Sequence, residues 1–314
     1  MRRQYMIHIQ RSKPLAPLTT FHVGGRADFF VEAFGTLELA EAFEFAEKNK
    51  LSAIVLGGGS NILFSDTGFA GMVIKMNDCS LGVSGEKIIS GAGTKLVDIV
   101  ARAKEASLTG IEKLAGIPGS CGGAVRGNAG AFGLEIGNLI TSVKVLSRDT
   151  GMMKEYSNAE CVFAYRTSIF KEDPNLVVLS IEIHLQLGNK STIERNILET
   201  IAKREAKHPQ FVQCAGSFFM NPIVIDAKLR EEFTKDTGLV PKDDKLPAGW
   251  TIDHVGLRGK HIGGAKISSD NPNYLINTGN ATAEDIIMLA SLIKQRVRDT
   301  LHIQLKEEVQ FIGF

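Results

Sequence analysis

The sequence predicts an α+β fold. Amphipathic helical segments and short strand-like apolar runs both occur along the chain, but they lack the regular β-α alternation of a parallel α/β sheet. A polar, proline-bearing segment around Pro209 follows a long charged helix, so we expect at least two structural units with a boundary near residues 190 to 210. The chain has 314 residues, of which 44% are hydrophobic, and this length allows each unit a core of its own.

The elements can be assigned in order from the spacing of the apolar residues. The pattern predicts the following elements before the boundary: a helix over 37–50, strands over 53–56 and 71–76, a helix over 96–108, a hairpin formed by 141–147 and 152–156 around the turn RDTG, and an alternating strand over 176–187. The charged helix at the boundary spans 192–207, and two further helices are predicted over 226–236 and 283–298. Thr282 and Asp285 form a plausible capping pair for the last helix.

Composition excludes several classes of protein. Lys and Arg total 36 against 35 Asp and Glu, so the net charge of +1 provides no broad field for nucleic acid or an anionic membrane, and we expect neither partner. The four cysteines are far apart, and the seven histidines show no H-E-x-x-H, so we expect no disulfide framework and no metal. The start, MRRQYMIHIQRSK, has no apolar run that could serve as a signal peptide core. We therefore expect a cytoplasmic protein.

Two glycine-rich stretches carry the strongest functional signal: LGGGSN at 56–61 and GIPGSCGGAVRGNAGAFG at 116–133. Glycine lets the backbone approach a ligand closely and turn successive N–H groups toward an anion, commonly phosphate. Either stretch alone could be no more than a tight connection. Together they favour a long ligand with a diphosphate. The chain lacks the G-x-x-x-x-G-K-[ST] of P-loop proteins and the G-x-G-x-x-G of Rossmann sites, so another dinucleotide fold is required.

Seven stretches in order extend this signal over nearly the whole chain: TTFHVGGRADF (19–29), VLGGGSNIL (55–63), GIPGSCGGAVRGNAGAFG (116–133), YRTSIF (165–170), GSFFMNP (216–222), GLRGKHIGGAKIS (256–268) and KEEVQFIG (306–313). Their sequences and their order resemble the UDP-N-acetylenolpyruvoylglucosamine reductase (MurB) family of peptidoglycan synthesis. An ordered set of seven motifs is far more specific than any one of them. The short interval between Arg166 and Ser217 is similar to that of the type II branch.

The resemblance implies a flavoenzyme of defined architecture. FAD would lie in a two-subdomain unit of the PCMH/vanillyl-alcohol-oxidase type formed by residues 1–190, with subdomains of about 1–77 and 78–190. Residues 191–314 would form an α+β substrate domain. The implied FAD contacts are Gly57, Gly58, Gly59, Ser60, Asn61, Pro118, Gly119, Ser120, Gly123, Ala124, Asn128 and Ala129. No His or Cys attachment motif lies beside these loops, so we expect the FAD to be bound non-covalently.

The implied reaction needs a proton donor and a partner for negative charge. Reducing an enolpyruvyl ether places hydride on the methylene carbon, while charge develops on the adjacent carbon and its carboxylate. By resemblance, NADPH reduces FAD, Ser217 donates the proton, Arg166 pairs with the carboxylate, and Glu308 polarises the site or positions Ser217. Without the family, the same residues would be a turn serine, a surface cation and a solvated carboxylate.

Recognition of the UDP group is implied for a second set of residues, in which cations suit a diphosphate: Tyr165, Arg204, Lys207, Asn221 and Lys260. The sequence departs from the family pattern at Cys121 and at Gln310. It also contains a long segment, 223–250, that the shortest members lack. The sequence does not determine how this segment shapes the edge of the UDP pocket.

The resulting hypothesis is an NADPH-dependent reductase that converts UDP-N-acetylglucosamine enolpyruvate to UDP-N-acetylmuramate and exists as a monomer or weak oligomer. One alternative is an FAD-dependent oxidase on the same scaffold, because a fold does not determine a function. Another is a non-catalytic flavin- or nucleotide-binding module. The oxidase would pass electrons to oxygen, and the binding module would not need Ser217, Arg166 and Glu308 together.

Overall fold

A computed structural model describes residues 7–206 and 212–314 of the chain. These residues form two compact units. The first contains the described residues up to Lys13 together with Ala27–Gly59 and Phe69–Ala206. The second contains Pro14–Arg26, Ser60–Gly68 and the described residues from 212 to the end. The chain therefore passes between the units several times before it reaches the C-terminal region.

Strands and helices both occur in each unit, as expected for an α+β protein. The strands are β1 Gln10–Pro14, β2 Arg26–Ala33, β3 Ser52–Leu56, β4 Ile62–Phe64, β5 Phe69–Met76, β6 Leu81–Ser84, β7 Lys87–Gly91, β8 Leu108–Thr109, β9 Gly130–Ala131, β10 Leu134–Glu135, β11 Ile140–Ser147, β12 Met153–Ser157, β13 Leu176–His184, β14 Gln186–Leu187, β15 His261–Ile262, β16 Ala265–Ile267, β17 Leu275–Asn277 and β18 Gln310–Ile312. The helices are α1 Thr36–Lys48, α2 Leu96–Glu105, α3 Cys121–Arg126, α4 Ile169–Glu172, α5 Lys190–Glu205, α6 Ala227–Thr237, α7 Ala248–His254 and α8 Ala283–Leu301.

A four-stranded sheet in the order β1-β2-β5-β3 contains the first glycine-rich turn at the end of β3. Strand β5 runs parallel to both β2 and β3. Its central residues Met72, Val73 and Ile74 are completely buried, as expected for a parallel strand with both faces covered. Helix α1 contributes Leu39, Ala42 and other residues of one face to the same core.

The second sheet of this unit is antiparallel, in the order β12-β11-β13-β7-β6. The predicted hairpin is confirmed as β11 and β12, and Gly151 has the positive φ of 66° that its turn requires. The predicted strand over 176–187 is confirmed only as far as His184. Residues 186–187 form β14, which pairs with β8 outside this sheet.

The predicted helix over 96–108 is wrong at its C-terminal end. Helix α2 ends at Glu105, and Ser107 has a positive φ of 57° that no continuing helix can contain. Leu108, which is completely buried, belongs to β8 instead. The apolar spacing continued past the end of the helix because the next strand contributes to the same core.

The second unit is built around α8, which packs Ile286, Leu289 and Ile293 into a separate core. The predicted capping pair is confirmed: Thr282 Oγ1 accepts from Asp285 N at 3.0 Å, and the Asp285 carboxylate accepts from Thr282 N at 3.1 Å. The unit also contains the antiparallel sheet β15-β16-β17 and the parallel pair of β4 with β18. The segment 223–250 contains α6 and the first residues of α7.

The first unit ends at Ala206, within the predicted boundary region of 190 to 210, but the implied division at residue 190 differs from the units, because α5 belongs to the first unit and Ser60–Gly68 belongs to the second. The assignment of 1–190 to FAD and of 191–314 to substrate remains a prediction. Over the residues described, no helix is both long enough and apolar enough to cross a membrane.

Candidate active site

The two glycine-rich stretches meet in the first unit. The N–H of Gly58 donates to Ser120 Oγ at 3.1 Å. A Cβ on Gly58 would lie 2.5 Å from the Cα of Gly119, and a Cβ on Gly57 would lie 2.5 Å from Ser120 Oγ. Larger residues at these two positions would separate the turns. The predicted FAD contacts at 57–58 and 119–120 therefore form one continuous main-chain surface.

Helix α3 adds an open face to this surface. The side chains of Cys121 and Val125 are completely buried, whereas Gly123 is exposed. A Cβ on Gly123 would meet only Ser120 Oγ, at 3.6 Å. A glycine with free space on its Cβ side fits a position that a bound group covers closely, so these residues are suited to hold FAD.

Lys75 supports the first glycine turn from the neighbouring strand. Its Nζ donates a hydrogen bond to the carbonyl oxygen of Gly57. Burial lowers the pKa of Lys75, while the charge of Glu32 acts in the opposite direction. Lys75 was not among the predicted site residues, although a lysine within the apolar run GMVIKM is a detectable signal.

The Asn128 side chain fixes the loop that follows α3. It is almost completely buried, and its Nδ2 donates to Glu135 Oε2 at 2.7 Å and to the carbonyl of Ala164 at 2.9 Å. Its Oδ1 accepts from Gly137 N at 3.0 Å. Both amide hydrogens are thus used within the protein. The predicted FAD contact of Asn128 remains a prediction.

Arg166 lies in a tight turn of the first unit, in which Ala164 and Thr167 exchange two main-chain hydrogen bonds of 3.1 Å. The turn gives Arg166 a positive φ of 59°. Its Nη2 donates to the carbonyl of Gly130 at 3.2 Å, and its Cζ lies 5.1 Å from the centre of the Tyr165 ring. The structure thus places predicted catalytic and substrate residues beside the second glycine-rich stretch.

Ser217 and Glu308 lie on neighbouring extended segments of the second unit. Glu308 N donates to the carbonyl of Phe218 at 2.8 Å, and Met220 N donates to the carbonyl of Lys306 at 2.9 Å. Both Ser217 and Glu308 are half-buried. The two predicted catalytic residues of this unit are therefore positioned by one main-chain register.

Asn61 connects the first glycine motif to the same register. Its Nδ2 donates to the carbonyl of Glu308 at 3.0 Å, across a separation of 247 residues. Gln310 N returns a bond to the carbonyl of Asn61 at 3.1 Å, where β18 pairs with β4. The structure therefore brings Asn61 together with Glu308, although only family resemblance linked them in the sequence.

Comparison with known proteins identifies a family for the N-terminal part of the chain and another for the C-terminal part. Residues 207–312 match the family described as UDP-N-acetylenolpyruvoylglucosamine reductase, C-terminal domain, and residues 27–157 match the family described as FAD binding domain. A UDP-N-acetylenolpyruvoylglucosamine reductase of Solibacter usitatus (strain Ellin6076) is 34% identical over 309 residues, which cover 97% of this chain and 97% of that relative. The chain belongs to the UDP-N-acetylenolpyruvoylglucosamine reductase family.

Two more relatives agree with this assignment. The protein of the same name from Carboxydothermus hydrogenoformans is 36% identical over 308 residues, with 97% of this chain and 94% of that protein covered. The crystal structure of UDP-N-acetylenolpyruvylglucosamine reductase (MurB) from Thermus caldophilus matches with a TM-score of 0.78 at 29% identity, covering 98% of this chain and 100% of that one. The family and the fold class predicted from the sequence are confirmed.

The residues predicted to bind UDP in this family member occupy both units. Arg204 lies in the first unit, where its Cδ would be 3.2 Å from a Cβ placed on Gly116. In the second unit, Asn221 Oδ1 accepts from Ala248 N at 3.0 Å, at the start of α7. Lys207 lies outside the described residues.

Lys260 is exposed in a turn of the second unit, where its carbonyl accepts from Ile267 N at 2.8 Å. Arg258, two residues earlier, was missed by the sequence analysis. Its Nε and Nη2 donate to the two carboxylate oxygens of Asp253 at 2.7 and 2.6 Å. These bonds keep the pKa of Asp253 below its ordinary range and hold the Lys260 turn against the end of α7.

Of the two single-residue departures from the family pattern, Cys121 has a structural explanation and Gln310 has none. Cys121 is completely buried in the core of the first unit, and burial raises the pKa of its thiol to about 12, against a smaller opposing effect of a hydrogen bond with Ser90. Cys121 therefore acts as a small apolar residue at the start of α3. Gln310 is the first residue of β18 and pairs with Ile62.

Proposed function

We propose that this chain reduces UDP-N-acetylglucosamine enolpyruvate to UDP-N-acetylmuramate, with NADPH as hydride donor and FAD as cofactor, in the synthesis of peptidoglycan precursors. The observation that carries this proposal is family membership over 97% of the chain. The Ser217 and Glu308 arrangement in the second unit supports it, because the predicted proton donor and carboxylate share one main-chain register.

FAD, when bound, supplies the chemistry of accepting hydride from NADPH and transferring it to the substrate. The chain would hold it mainly through main-chain groups of the joined glycine turns at 57–58 and 119–120 and of the open face at Gly123. Lys75 would keep the carbonyl of Gly57 turned away from the cofactor by donating a hydrogen bond to it. The remaining predicted contacts are Gly59, Ser60, Asn61, Pro118, Ala124, Asn128 and Ala129.

Ser217 would donate the proton in the second half of the reaction. Hydride adds to the methylene carbon of the enol ether, the double bond is lost, and the adjacent carbon takes a proton from Ser217 Oγ. Glu308 would polarise the site or orient the Ser217 hydroxyl. The alcohol of Ser217 must then recover a proton before the next turnover.

Arg166 would bind the carboxylate of the enolpyruvyl group. Charge increases on this carboxylate as hydride arrives, and a planar guanidinium can donate to both oxygens at once. The bond from its Nη2 to Gly130 fixes the direction of the side chain from the second glycine-rich stretch. Tyr165, Arg204, Lys207, Asn221 and Lys260 would contact the UDP part of the substrate.

The proposal is tested with the purified protein. We expect a flavin absorption band, bleaching of that band by NADPH without oxygen, and its recovery on addition of UDP-N-acetylglucosamine enolpyruvate, with UDP-N-acetylmuramate identified by mass spectrometry. Recovery by oxygen alone at a comparable rate would indicate an oxidase. Protein that binds flavin but is not bleached by NADPH would indicate a binding module.

We further propose that the protein acts in the cytoplasm as a monomer or weak oligomer. All four cysteines are free thiols, which suits a reducing compartment. Sedimentation velocity at several protein concentrations tests the oligomeric state, and cell fractionation tests the location.

A further inference from the structure

A buried asparagine far along the chain holds the backbone next to Ser217. Asn273 is only 5% exposed. Its Nδ2 donates to the carbonyl of Phe219 at 2.9 Å, and its Oδ1 accepts from the N–H of the same residue, also at 2.9 Å. The side-chain amide thus bonds both main-chain groups of one residue, as a neighbouring strand would.

The main chain of Asn273 adds a third bond. Its carbonyl accepts from Phe218 N at 2.7 Å, and the following residue, Tyr274, is the bridge partner of Ser217. On the opposite side, Glu308 and Lys306 bond to Phe218 and Met220. The polar main-chain groups from Phe218 N to Met220 N are therefore all engaged, and three of those bonds end on Asn273.

We infer that Asn273 is a positioning residue for Ser217: it sets the direction of the serine hydroxyl by fixing the three peptide groups that follow Ser217. This inference rests on the proposed role of Ser217 as proton donor. Leucine, of similar size, could fill the site but could not bond Phe219. An unpaired buried N–H and C=O would then favour rearrangement of the segment, and displacements near 1 Å at a catalytic group can cost about 10²-fold in rate.

Asn273→Asp provides the sharpest test, because aspartate keeps the acceptor for Phe219 N but loses the donor for Phe219 O. An ionised carboxylate would repel that carbonyl, whereas a protonated one can donate to it. Burial raises the pKa of the introduced carboxyl above its ordinary value of about 3.9, so the protonated form becomes populated as the pH falls below neutral. We expect the variant to keep the wild-type rate of flavin reduction by NADPH. Flavin reoxidation by substrate should be slower than in the wild type by about 10- to 100-fold at neutral pH. When variant and wild type are compared at the same pH, this difference should shrink as the pH is lowered.

Asn277→Asp is the matched control. Asn277 is also buried, at 6% exposure, and its Nδ2 donates to the carbonyl of Phe21 and to Gln213 Oε1, both at 2.9 Å. It makes no described bond to residues 217–219. We expect both Asn277→Asp and Asn273→Asp to lower the thermal midpoint, but Asn277→Asp to leave the ratio of the two half-reactions at the wild-type value.

Stopped-flow absorbance of the flavin in the holoenzyme measures both half-reactions, and Asn273→Ser makes the same comparison without a titratable group if Asn273→Asp does not fold. Equal slowing of both halves, or the same effect in Asn277→Asp, would overturn the positioning role. Ser217→Ala, measured in parallel, separates the two hypotheses. If it leaves reoxidation unchanged, the proposed role of Ser217 fails; if it abolishes reoxidation while the Asn273 variants do not slow it, only the positioning inference fails.

Discussion

The main-chain N–H of Glu308 donates to the carbonyl oxygen of Phe218 at 2.8 Å. This bond joins the segment that contains Ser217, the residue before Phe218, to the segment that contains Glu308. Because the register depends on main-chain groups, removal of either predicted catalytic side chain should leave the other in place. A change in rate caused by a side-chain substitution at Ser217 or Glu308 can therefore be attributed to the lost functional group and not to a displaced main chain.

We expect Ser217→Ala to retain FAD and to be reduced by NADPH at the wild-type rate. Reduction of the flavin requires no proton at substrate carbon, so a proton donor should have no effect on it. Reoxidation by the enolpyruvyl substrate should slow by about 10²- to 10⁴-fold, the usual contribution of general acid catalysis. Stopped-flow absorbance follows the two steps separately.

Two other outcomes for Ser217→Ala would contradict this role. Equal slowing of bleaching and recovery would mean that Ser217 positions the flavin. Wild-type rates in both steps would mean that the serine is only a turn residue after Gly216, whose φ is 76°.

We expect Gly123→Val to weaken FAD binding without unfolding the protein. The added Cβ meets only Ser120 Oγ at 3.6 Å, and valine is no worse than glycine within a helix. A bound cofactor on this face would instead be overpacked, at a cost of about 1–3 kcal/mol, or about 5- to 150-fold in affinity. Titration of apoprotein with FAD measures the affinity, and thermal unfolding measures the stability.

Gly122→Val is the control for that experiment. A Cβ at Gly122 would lie 2.8 Å from the Cβ of Ala92, inside the core of the first unit. We expect this variant to lower the thermal midpoint of the apoprotein. If Gly123→Val destabilises the apoprotein to the same extent, Gly123 has a structural role and does not contact FAD.

We expect alkylation at pH 8 to distinguish the cysteines. Burial raises the pKa of Cys121 to about 12 and is the main cause that raises the pKa of Cys161 to about 11. At pH 8 their reactive thiolate forms would be about one part in 10⁴ and in 10³. Cys79 is exposed and should be labelled by iodoacetamide first, as mass spectrometry of the native protein would show. Labelling of Cys121 at the rate of Cys79 would contradict its burial.

We expect the Asp285 carboxylate to stabilise the second unit in a pH-dependent way. Hydrogen bonds from the main chain of Thr282 and then of Gly264 lower its pKa from the ordinary value of 3.8. Because the folded-state pKa is depressed, this contribution is present above pH 3.8 and is lost as the pH falls through the lower folded-state value. Asp285→Asn should therefore be less stable than wild type at pH 6, with a difference in denaturation midpoint that shrinks below pH 4. A difference in denaturation midpoint that is the same at pH 6 and below pH 4 would contradict a stabilising role of the ionised Asp285 carboxylate.

The sequence predicted elements best where a periodic pattern and a local signal coincided. The hairpin over 140–157 combined alternation with a glycine turn, and α8 combined helical spacing with the Thr282 cap. Helix α3 was not predicted, because glycines at 122 and 123 disfavour a helix by about 1 kcal/mol each. The buried Cys121 and Val125, which hold α3 against the core, outweigh that preference.

The candidate site was predicted from motifs, but its connections were not. Family resemblance named Asn61, Ser217 and Glu308 separately. The bond from Asn61 to Glu308 joins residues 247 positions apart, and the bonds from Asn273 to Phe219 join residues 54 positions apart. No local spacing indicates such pairs. Asn273 therefore became identifiable only from the folded chain, which places its side-chain nitrogen against the main-chain carbonyl of Phe219.

The pairing of β4 with β18 has a consequence for how the chain is made. Residues 62–64 emerge early in translation, but their parallel partner at 310–312 is synthesised much later. Until then, the nascent β4 lacks its partner strand, and its hydrogen-bonding edge and the apolar side chains of Leu63 and Phe64 are exposed. Exposed strand edges and apolar side chains favour aggregation and chaperone binding. Contacts this distant in sequence also slow refolding from denaturant. The order of synthesis therefore delays completion of the second unit until its last strand has left the ribosome.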